Sequence, residues 1–361
     1  MDQELDEVRR RIRQLDTELV ERAAERVRLA RRVGEIKRAA GQATIDYAQE
    51  RRVLEAAAAT AARHGLDGGV AQDLLARLIR AAVRVQEEES LRHAGTGRGK
   101  HAVVVGGAGR MGRWTARFLE AQGWRVAVAD PSLPPEEDRR GRERLPSAEL
   151  VVAATPPGRT ADLYREWSAA PPAGVVVDIA SIKTPLVAPI RELQAAGGRV
   201  ASIHPMFGPA AVLLRGADVV ICDTGDAGAT AAVEALFAPT TAHLVRLPLE
   251  EHDAVMADLL SLAHATAIAF ALALPAAEHP VRSTTFQALE RLAATVVRES
   301  PDVYYEIQAE NPHSAAAVAK LRDALARLAA VLADRDRAAF AELLAEGRRR
   351  TPGDGAAADS R

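Results

Sequence analysis

Apolar residues recur at Leu5, Val8, Ile12, Leu15, Leu19, Ala23, Ala30 and Val33, with no Gly or Pro before Gly34. That spacing predicts one long helix from Leu5 to Lys37. At about 1.5 Å per residue it is roughly 50 Å long, more than a domain of about 90 residues needs, so its far end is expected to pack on a second copy of the chain. Two more helices are predicted, from Asp46 to His64 and from Val70 to Glu88, before the Gly-rich HAGTGRGK segment (93–100) breaks the pattern. The period then changes. Short apolar runs at 102–105, 125–129, 150–154, 175–179, 200–203 and 219–221 alternate with amphipathic stretches such as 113–122, which predicts a mostly parallel, doubly wound sheet. From His252 to Arg348 the chain reads as helical again, and the closing TPGDGAAADSR reads as a disordered tail.

With 361 residues, 48% of them hydrophobic, the chain can build two or three cores. Its 47 basic and 49 acidic residues nearly cancel, which excludes the global basic field expected of a nucleic-acid binder; an anion must be bound locally. Cys222 is the only cysteine, so an intramolecular disulfide and a Cys-rich metal cage are both excluded, and no metal is expected. The N-terminus is charged from its second residue and no uninterrupted apolar run reaches membrane length. The expectation is a cytoplasmic protein that acts on small molecules, with neither membrane nor nucleic acid as partner.

Gly107-x-Gly109-x-x-Gly112 follows a predicted strand and opens a predicted helix, and the next strand ends at Asp130. In this setting the pattern is a dinucleotide fingerprint: the glycines let the backbone close on a pyrophosphate at the helix N-terminus, with Arg110 and Met111 in the same turn. Asp130 is placed to accept from the adenosine ribose hydroxyls and to repel a 2′-phosphate, which favours NAD over NADP. Arg110 and Arg125 lie close enough in sequence to leave NADP open.

This fingerprint together with DIASIK (178–183), HPMFGP (204–209), and EHD (251–253) followed by His264 resembles the prephenate dehydrogenase family, and the first 90 residues resemble the helical chorismate mutases. The order of the two is similar to that of bifunctional mutase–dehydrogenases. The resemblance implies that His204 is the base taking the substrate hydroxyl proton while hydride leaves the same carbon for the nicotinamide; an imidazole, titrating near neutrality, suits that task. Thr155, in AATPP and set by this reading after the domain's fourth strand, matches a hydroxyl that orients histidine and substrate, or caps a strand end. His264 matches a substrate-binding histidine, whereas His252 reads as a structural residue at a helix start. Lys183 would offer an exposed ammonium to substrate or cofactor, or only to solvent.

In the mutase half, Arg9, Arg26, Lys37, Asp46, Glu50 and Gln86 fall on the family's active-site positions. Arg26 and Lys37, eleven residues apart, share a face with the apolar stripe, an unusual place for two cations unless an anion lies there. Arg9 is about 25 Å from Arg26 along the helix, so both serve one site only if Arg9 comes from a partner subunit, and a homodimer is required. Gln86 would donate to the ether oxygen. The competing view is an Arg-rich helical dimerisation module.

Two positions depart from the family pattern. Gln49 stands where an arginine usually sits beside the substrate's C4 hydroxyl, and Thr295 where an arginine usually clamps the ring carboxylate; Arg291 or Arg298 could supply the second. The readings compared are therefore rearrangement of chorismate and NAD-dependent oxidative decarboxylation of prephenate to 4-hydroxyphenylpyruvate, the same two steps on 4-amino-4-deoxychorismate, and a non-catalytic ligand-sensing dimer. The first is expected. The organisation expected is an all-α mutase domain over 1–90, a linker over 91–99, an α/β Rossmann domain over 100–247, an all-α dimerisation and substrate domain over 248–348, and a disordered tail over 349–361.

Overall fold

The computed structural model describes residues 2–40, 46–275, 281–298 and 300–351. Most of the tail expected to be disordered lies outside them. Two compact units emerge, one made of residues 1–155, 162–180 and 190–247 and the other of 156–161, 181–189 and 248–361.

The first unit opens with α1 (Asp2–Ala39), α2 (Tyr47–Arg63) and α3 (Gly68–Ala94). The long-helix prediction holds, and both later helices start where an aspartate caps them: Asp46 Oδ1 accepts from Gln49 N at 2.9 Å, and Asp67 Oδ1 from Val70 N at 3.2 Å. On α1 only Gly34 is buried, while Leu5, Val8, Ile12, Leu15 and Leu19 stand exposed on its N-terminal part. α3 runs beyond its predicted end because Gln86, Glu87, Glu89, Ser90 and Leu91 are all buried. Arg31 and Arg38 of α1 both pair with Glu89.

The chain then alternates through β1 (His101–Val105), α4 (Arg110–Ala121), β2 (Arg125–Ala129), α5 (Pro135–Arg144), β3 (Leu150–Ala153), α6 (Pro157–Ser168), β4 (Val175–Asp178), α7 (Val187–Ala195), β5 (Arg199–Pro205), β6 (Asp218–Asp223), α8 (Ala227–Phe237) and β7 (His243–Pro248). The strands lie in the order β2-β1-β3-β4-β5-β6-β7. β1 to β5 are parallel and β6 runs antiparallel to β5. Val103, Val104, Val151, Val152, Val176 and Val177 are buried without alternation, as in a sheet covered on both faces. Thr155 follows β3, the third strand rather than the fourth.

The second unit contains α9 (His252–Met256), α10 (Leu262–Ala273), α11 (Thr284–Val297), α12 (Pro301–Tyr305), α13 (Ser314–Ala333) and α14 (Arg337–Arg350). π-helical turns at Ala257–Ser261 and Glu306–Glu310 interrupt it. Side chains serve the displaced backbone groups there: Ser314 Oγ donates to Ile307 O at 3.1 Å and Gln308 Nε2 to Ser261 O at 3.0 Å. The run His252–Ala273 is long and apolar enough by composition to cross a membrane, yet its interior carries Asp253, Asp258 and His264.

Candidate active site

In the Rossmann part, the glycine turn, Asp130, Thr155, Asp178 and His204 sit at the carboxyl edge of the parallel strands, where open α/β sheets place ligands. The glycine turn follows β1, Asp130 follows β2, Thr155 follows β3, Asp178 ends β4, and His204 lies near the end of β5. Register keeps them level, since Val105 pairs with Ala129 and Ala153, Ala153 with Asp178, and Asp178 with Ser202. At about 4.8 Å per strand, β5 is roughly 14 Å from β1, so a ligand touching both the glycine turn and His204 must extend across three strand spacings.

The turn fits a dinucleotide. A Cβ at Gly112 would lie 2.2 Å from Gly106 O, and one at Gly107 would lie 2.5 Å from Val128 Cγ1. Gly106, which the fingerprint does not include, has φ +78 and backs onto Ala154 O. The backbone thus passes where side chains cannot, at the N-terminus of the twelve-residue α4. Asp130 Oδ1 accepts from Ser132 N at 2.9 Å and Ser132 Oγ at 2.7 Å, and Oδ2 accepts from Ala108 N at 3.0 Å. Burial pushes the Asp130 carboxyl up, but these hydrogen bonds outweigh it and hold it below the usual range. It therefore stays anionic, with acceptor capacity left on Oδ2 for a hydroxyl. Arg125 begins β2, at the opposite end from Asp130 and about 16 Å away, so it has no part in this choice. The cation beside the carboxylate is Arg113, whose guanidinium donates to Ala108 O.

His204 is buried, and its backbone pairs with Val220 of β6, two residues beyond the last β4 partner at Ser202. Asp178, the first residue of DIASIK, is structural: it accepts from Ala180 N at 3.2 Å and from the Tyr164 hydroxyl at 3.3 Å. Burial, then the Asp178 charge, pushes the Tyr164 phenol well above its ordinary value, so it remains a donor.

In the second unit, Lys183 is fully buried, which corrects its expected exposure: a charged residue directly after a strand reads as solvated, but this one is enclosed with its backbone tied to α9. Asp253 accepts from Lys183 N at 2.8 Å and Thr184 N at 2.7 Å, and its Oδ1 lies 2.7 Å from His252 Nδ1. His252, at the first position of α9, is buried as well. Burial opposes ionisation of Asp253, but His252 and the two backbone donors bring its pKa down to about 2. A carboxylate depressed from 3.8 to about 2 contributes about 2 kcal/mol of stability above pH 4, lost as pH falls towards 2. Asp253→Asn is expected to lower urea-unfolding stability by about that amount at pH 7, with the difference from wild type closing between pH 4 and pH 2; a gap constant with pH would rule the linkage out.

His264, just after the first π turn, stacks edge-on against Tyr304 at 4.5 Å between ring centroids. Its Nδ1 is buried without a hydrogen-bond partner, and burial keeps the imidazole below its usual pKa and hence neutral near pH 7. Thr295 is exposed and donates to Arg291 O at 2.9 Å, while Arg291 and Arg298 are also exposed.

The helical part of the first unit assembles a second constellation. Gln86 of α3 is buried, and its Nε2 donates to Ala30 O of α1. A Cβ at Gly34 would lie 2.8 Å from Gln86 Cγ, so glycine there makes room for the amide. Ala30 and Gly34 lie on the α1 face between Arg26 and Lys37, so Gln86 is seated between the two cations. Arg26 Nη1 is buried with no partner, an uncompensated donor of the kind an anion satisfies. Arg9 is exposed near the far end of α1, with Asp6 at 3.9 Å, and is not brought to this face. Asp46 caps α2. Glu50, one turn on, is paired with Arg215 of the sheet domain, and Gln49 Oε1 accepts from Arg52 Nε at 3.1 Å and Nη2 at 2.8 Å. Gly34, Gly106, Tyr304 and Arg215 escaped the sequence reading; a Gly-Gly doublet hints at Gly106, but the others depend on contacts distant in sequence.

Family models match in three consecutive pieces: chorismate mutase type II over residues 8–87, the nucleotide-binding domain of prephenate dehydrogenase over 135–246, and its dimerization domain over 248–346. The T-protein of Enterobacter agglomerans is 27% identical over 346 residues, covering 93% of this chain and 90% of that protein. The 4-amino-4-deoxyprephenate dehydrogenase of Streptomyces pristinaespiralis is 30% identical over 267 residues, 68% of this chain and 88% of that protein. Among solved structures, the prephenate dehydrogenase of A. aeolicus in complex with hydroxyphenyl propionate and NAD+ has a TM-score of 0.55 at 18% identity, covering 70% of this chain and 96% of that one.

Proposed function

The chain belongs to the prephenate dehydrogenase family with a chorismate mutase type II domain fused ahead of it, and on that premise we propose that it converts chorismate to prephenate and oxidatively decarboxylates prephenate to 4-hydroxyphenylpyruvate. The observation that carries the proposal is the Arg26–Gln86–Lys37 face, with its unpartnered guanidinium nitrogen, on the same chain as a glycine turn and His204 at one sheet edge.

A Claisen rearrangement forms one C–C bond and breaks one C–O bond with no proton transfer, so the mutase residues bind and polarise. Arg26, with Arg9 from a partner subunit, takes the carboxylates. Lys37 and Gln86 stabilise negative charge growing on the ether oxygen. The bond to Ala30 uses one amide N–H of Gln86 and orients it, leaving the second for the substrate.

In the second reaction NAD, when bound at Gly107, Gly109, Arg110, Met111, Gly112 and Asp130, supplies the hydride acceptor. His204 takes the hydroxyl proton, with Thr155 orienting the substrate; His264 matches a substrate-binding histidine of the family. Carbon dioxide leaves as the ring becomes aromatic. The anionic Asp130 supports NAD over NADP, because it would repel a 2′-phosphate. A homodimer is the assembly this reading requires. The exposed apolar stripe of α1 and the match to a dimerization domain support it. Lys183 remains a candidate only through its backbone and burial, not as an exposed ammonium.

The relative that spans the mutase half, the E. agglomerans protein, supports chorismate as substrate, whereas the S. pristinaespiralis protein covers a shorter stretch. The deciding experiment supplies chorismate or 4-amino-4-deoxychorismate with NAD+ or NADP+ and identifies products by mass. NAD+-dependent 4-hydroxyphenylpyruvate is expected. Preference for the amine would transfer the assignment to the 4-amino route, and turnover of neither would refute the bifunctional reading.

A further inference from the structure

We propose that Arg215, a residue of the sheet domain, is a positioning and specificity-determining residue of the mutase site; the inference rests on the mutase reading above. Arg215 grips Glu50 at both carboxylate oxygens, Nη1 donating to Oε1 at 3.0 Å and Nη2 to Oε2, and its guanidinium lies 5.3 Å from the Tyr47 ring centroid. The two side chains are only 21% and 19% exposed, so this is not one of the solvated ion pairs that contribute little.

The loop that carries Arg215 is itself held from the helical domain. Glu87, buried and next to Gln86 on α3, accepts from Leu214 N at 3.1 Å, Thr241 N at 2.7 Å and Thr241 Oγ1 at 2.9 Å. Gly216 then turns the chain with φ +71 into β6. A closed circuit results: α3 fixes the loop through Glu87, and the loop fixes the first turn of α2 through Arg215. That turn carries Asp46, Gln49 and Glu50.

The chemistry gives this circuit a purpose. Chorismate offers two carboxylates, an ether oxygen and one ring hydroxyl. Two protein carboxylates repel all of these except the hydroxyl, so Asp46 and Glu50 face that end of the substrate. With Arg215 bound, Asp46, Glu50 and Arg215 together carry one net negative charge; without it, Asp46 and Glu50 carry two. The paired state suits a neutral hydroxyl donor, and the unpaired state suits an ammonium. Arg215 thus fixes the orientation of Glu50 and tilts the site towards hydroxyl over amine.

The test uses the full-length chain as wild type, Arg215→Ala, Arg215→Lys, Glu50→Gln and the Arg215→Ala/Glu50→Gln double variant. Mutase kcat and KM are measured with chorismate and with 4-amino-4-deoxychorismate, and each variant is given prephenate and NAD+ as a check on the dehydrogenase. For Arg215→Ala we expect about a tenfold loss of chorismate kcat/KM, with the amine-to-hydroxyl preference shifted by a similar factor towards the amine. Prephenate oxidation should be unchanged. Arg215→Lys should recover part of the loss, restoring charge without the two-point grip. In the Glu50→Gln background, removing Arg215 should cost nothing further, because the effect runs through Glu50. If Arg215→Ala lowers both substrates equally, or costs the same with and without Glu50, the residue is only a structural link and the proposal fails. Turnover of neither substrate by wild type would overturn the mutase reading and this inference together; wild-type turnover with an indistinguishable Arg215→Ala would overturn the inference alone.

Discussion

Full-length His204→Asn is expected to rearrange chorismate at the wild-type rate while oxidising added prephenate about a thousandfold more slowly, the scale lost with a general base. Asparagine keeps a polar side chain on β5 but cannot take the hydroxyl proton. Because His204 is buried and its backbone is paired with Val220 of β6, the change should leave binding of NAD+ intact. Steady-state kinetics with prephenate, beside a fluorescence titration of NAD+, separates the two effects. Retention of near-normal oxidation would move the base elsewhere, and a parallel loss of cofactor affinity would mean that the strand edge had collapsed.

The converse phenotype belongs to α1 and α3. Lys37→Ala and Gln86→Ala are each expected to lower mutase kcat by about 100- to 1,000-fold, the range seen when one preorganised donor to a developing oxyanion is removed. KM for chorismate should move much less, because Arg26 still binds carboxylate. Prephenate oxidation should be untouched. Gly34→Val offers an independent route to the same outcome: a Cβ there meets Gln86 Cγ at 2.8 Å and Nε2 at 3.0 Å, so the amide must shift without losing its chemistry. A coupled assay from chorismate to NADH, run beside the assay from prephenate, distinguishes a mutase defect from general instability. A Gln86→Ala enzyme with normal mutase kcat would remove Gln86 from the reacting atoms.

Much of this arrangement was legible in the sequence because the pattern that makes an element is local. The stripe from Leu5 to Val33, the start at Asp46 and the run from Val70 to Glu88 mark three helices, and six apolar runs specify six strands. β7 was missed because HLVRLP is an edge strand, half-exposed and ending in Pro, with no continuous apolar run. The antiparallel direction of β6 was also hidden, since alternation and burial do not encode strand polarity. Asp130 could be placed because its distance from the glycines is set by one βαβ unit. Lys183 misled for the opposite reason: charge type predicts exposure on average, and only the fold reveals that it is enclosed. The Arg215–Glu50 pair joins residues 165 positions apart, and no local pattern announces it.

Glu87 and the short stretch after α3 bear on what kind of fusion this is. Gly97 is buried, its N–H donates to Gln122 O at 3.2 Å, and a Cβ there would strike the Trp124 indole at 2.2 Å. The segment between helices and sheet is thus a packed strip of the fold rather than a tether. The mutase half of the first unit is not a bead on a string. Severing the backbone near Gly99 would leave the Glu87 clasp and the buried strip intact, so the two pieces should stay associated through a sizing column. Genes for these two activities could therefore be separated only if the surfaces around Glu87, Leu91 and Gly97 were first made tolerant of water.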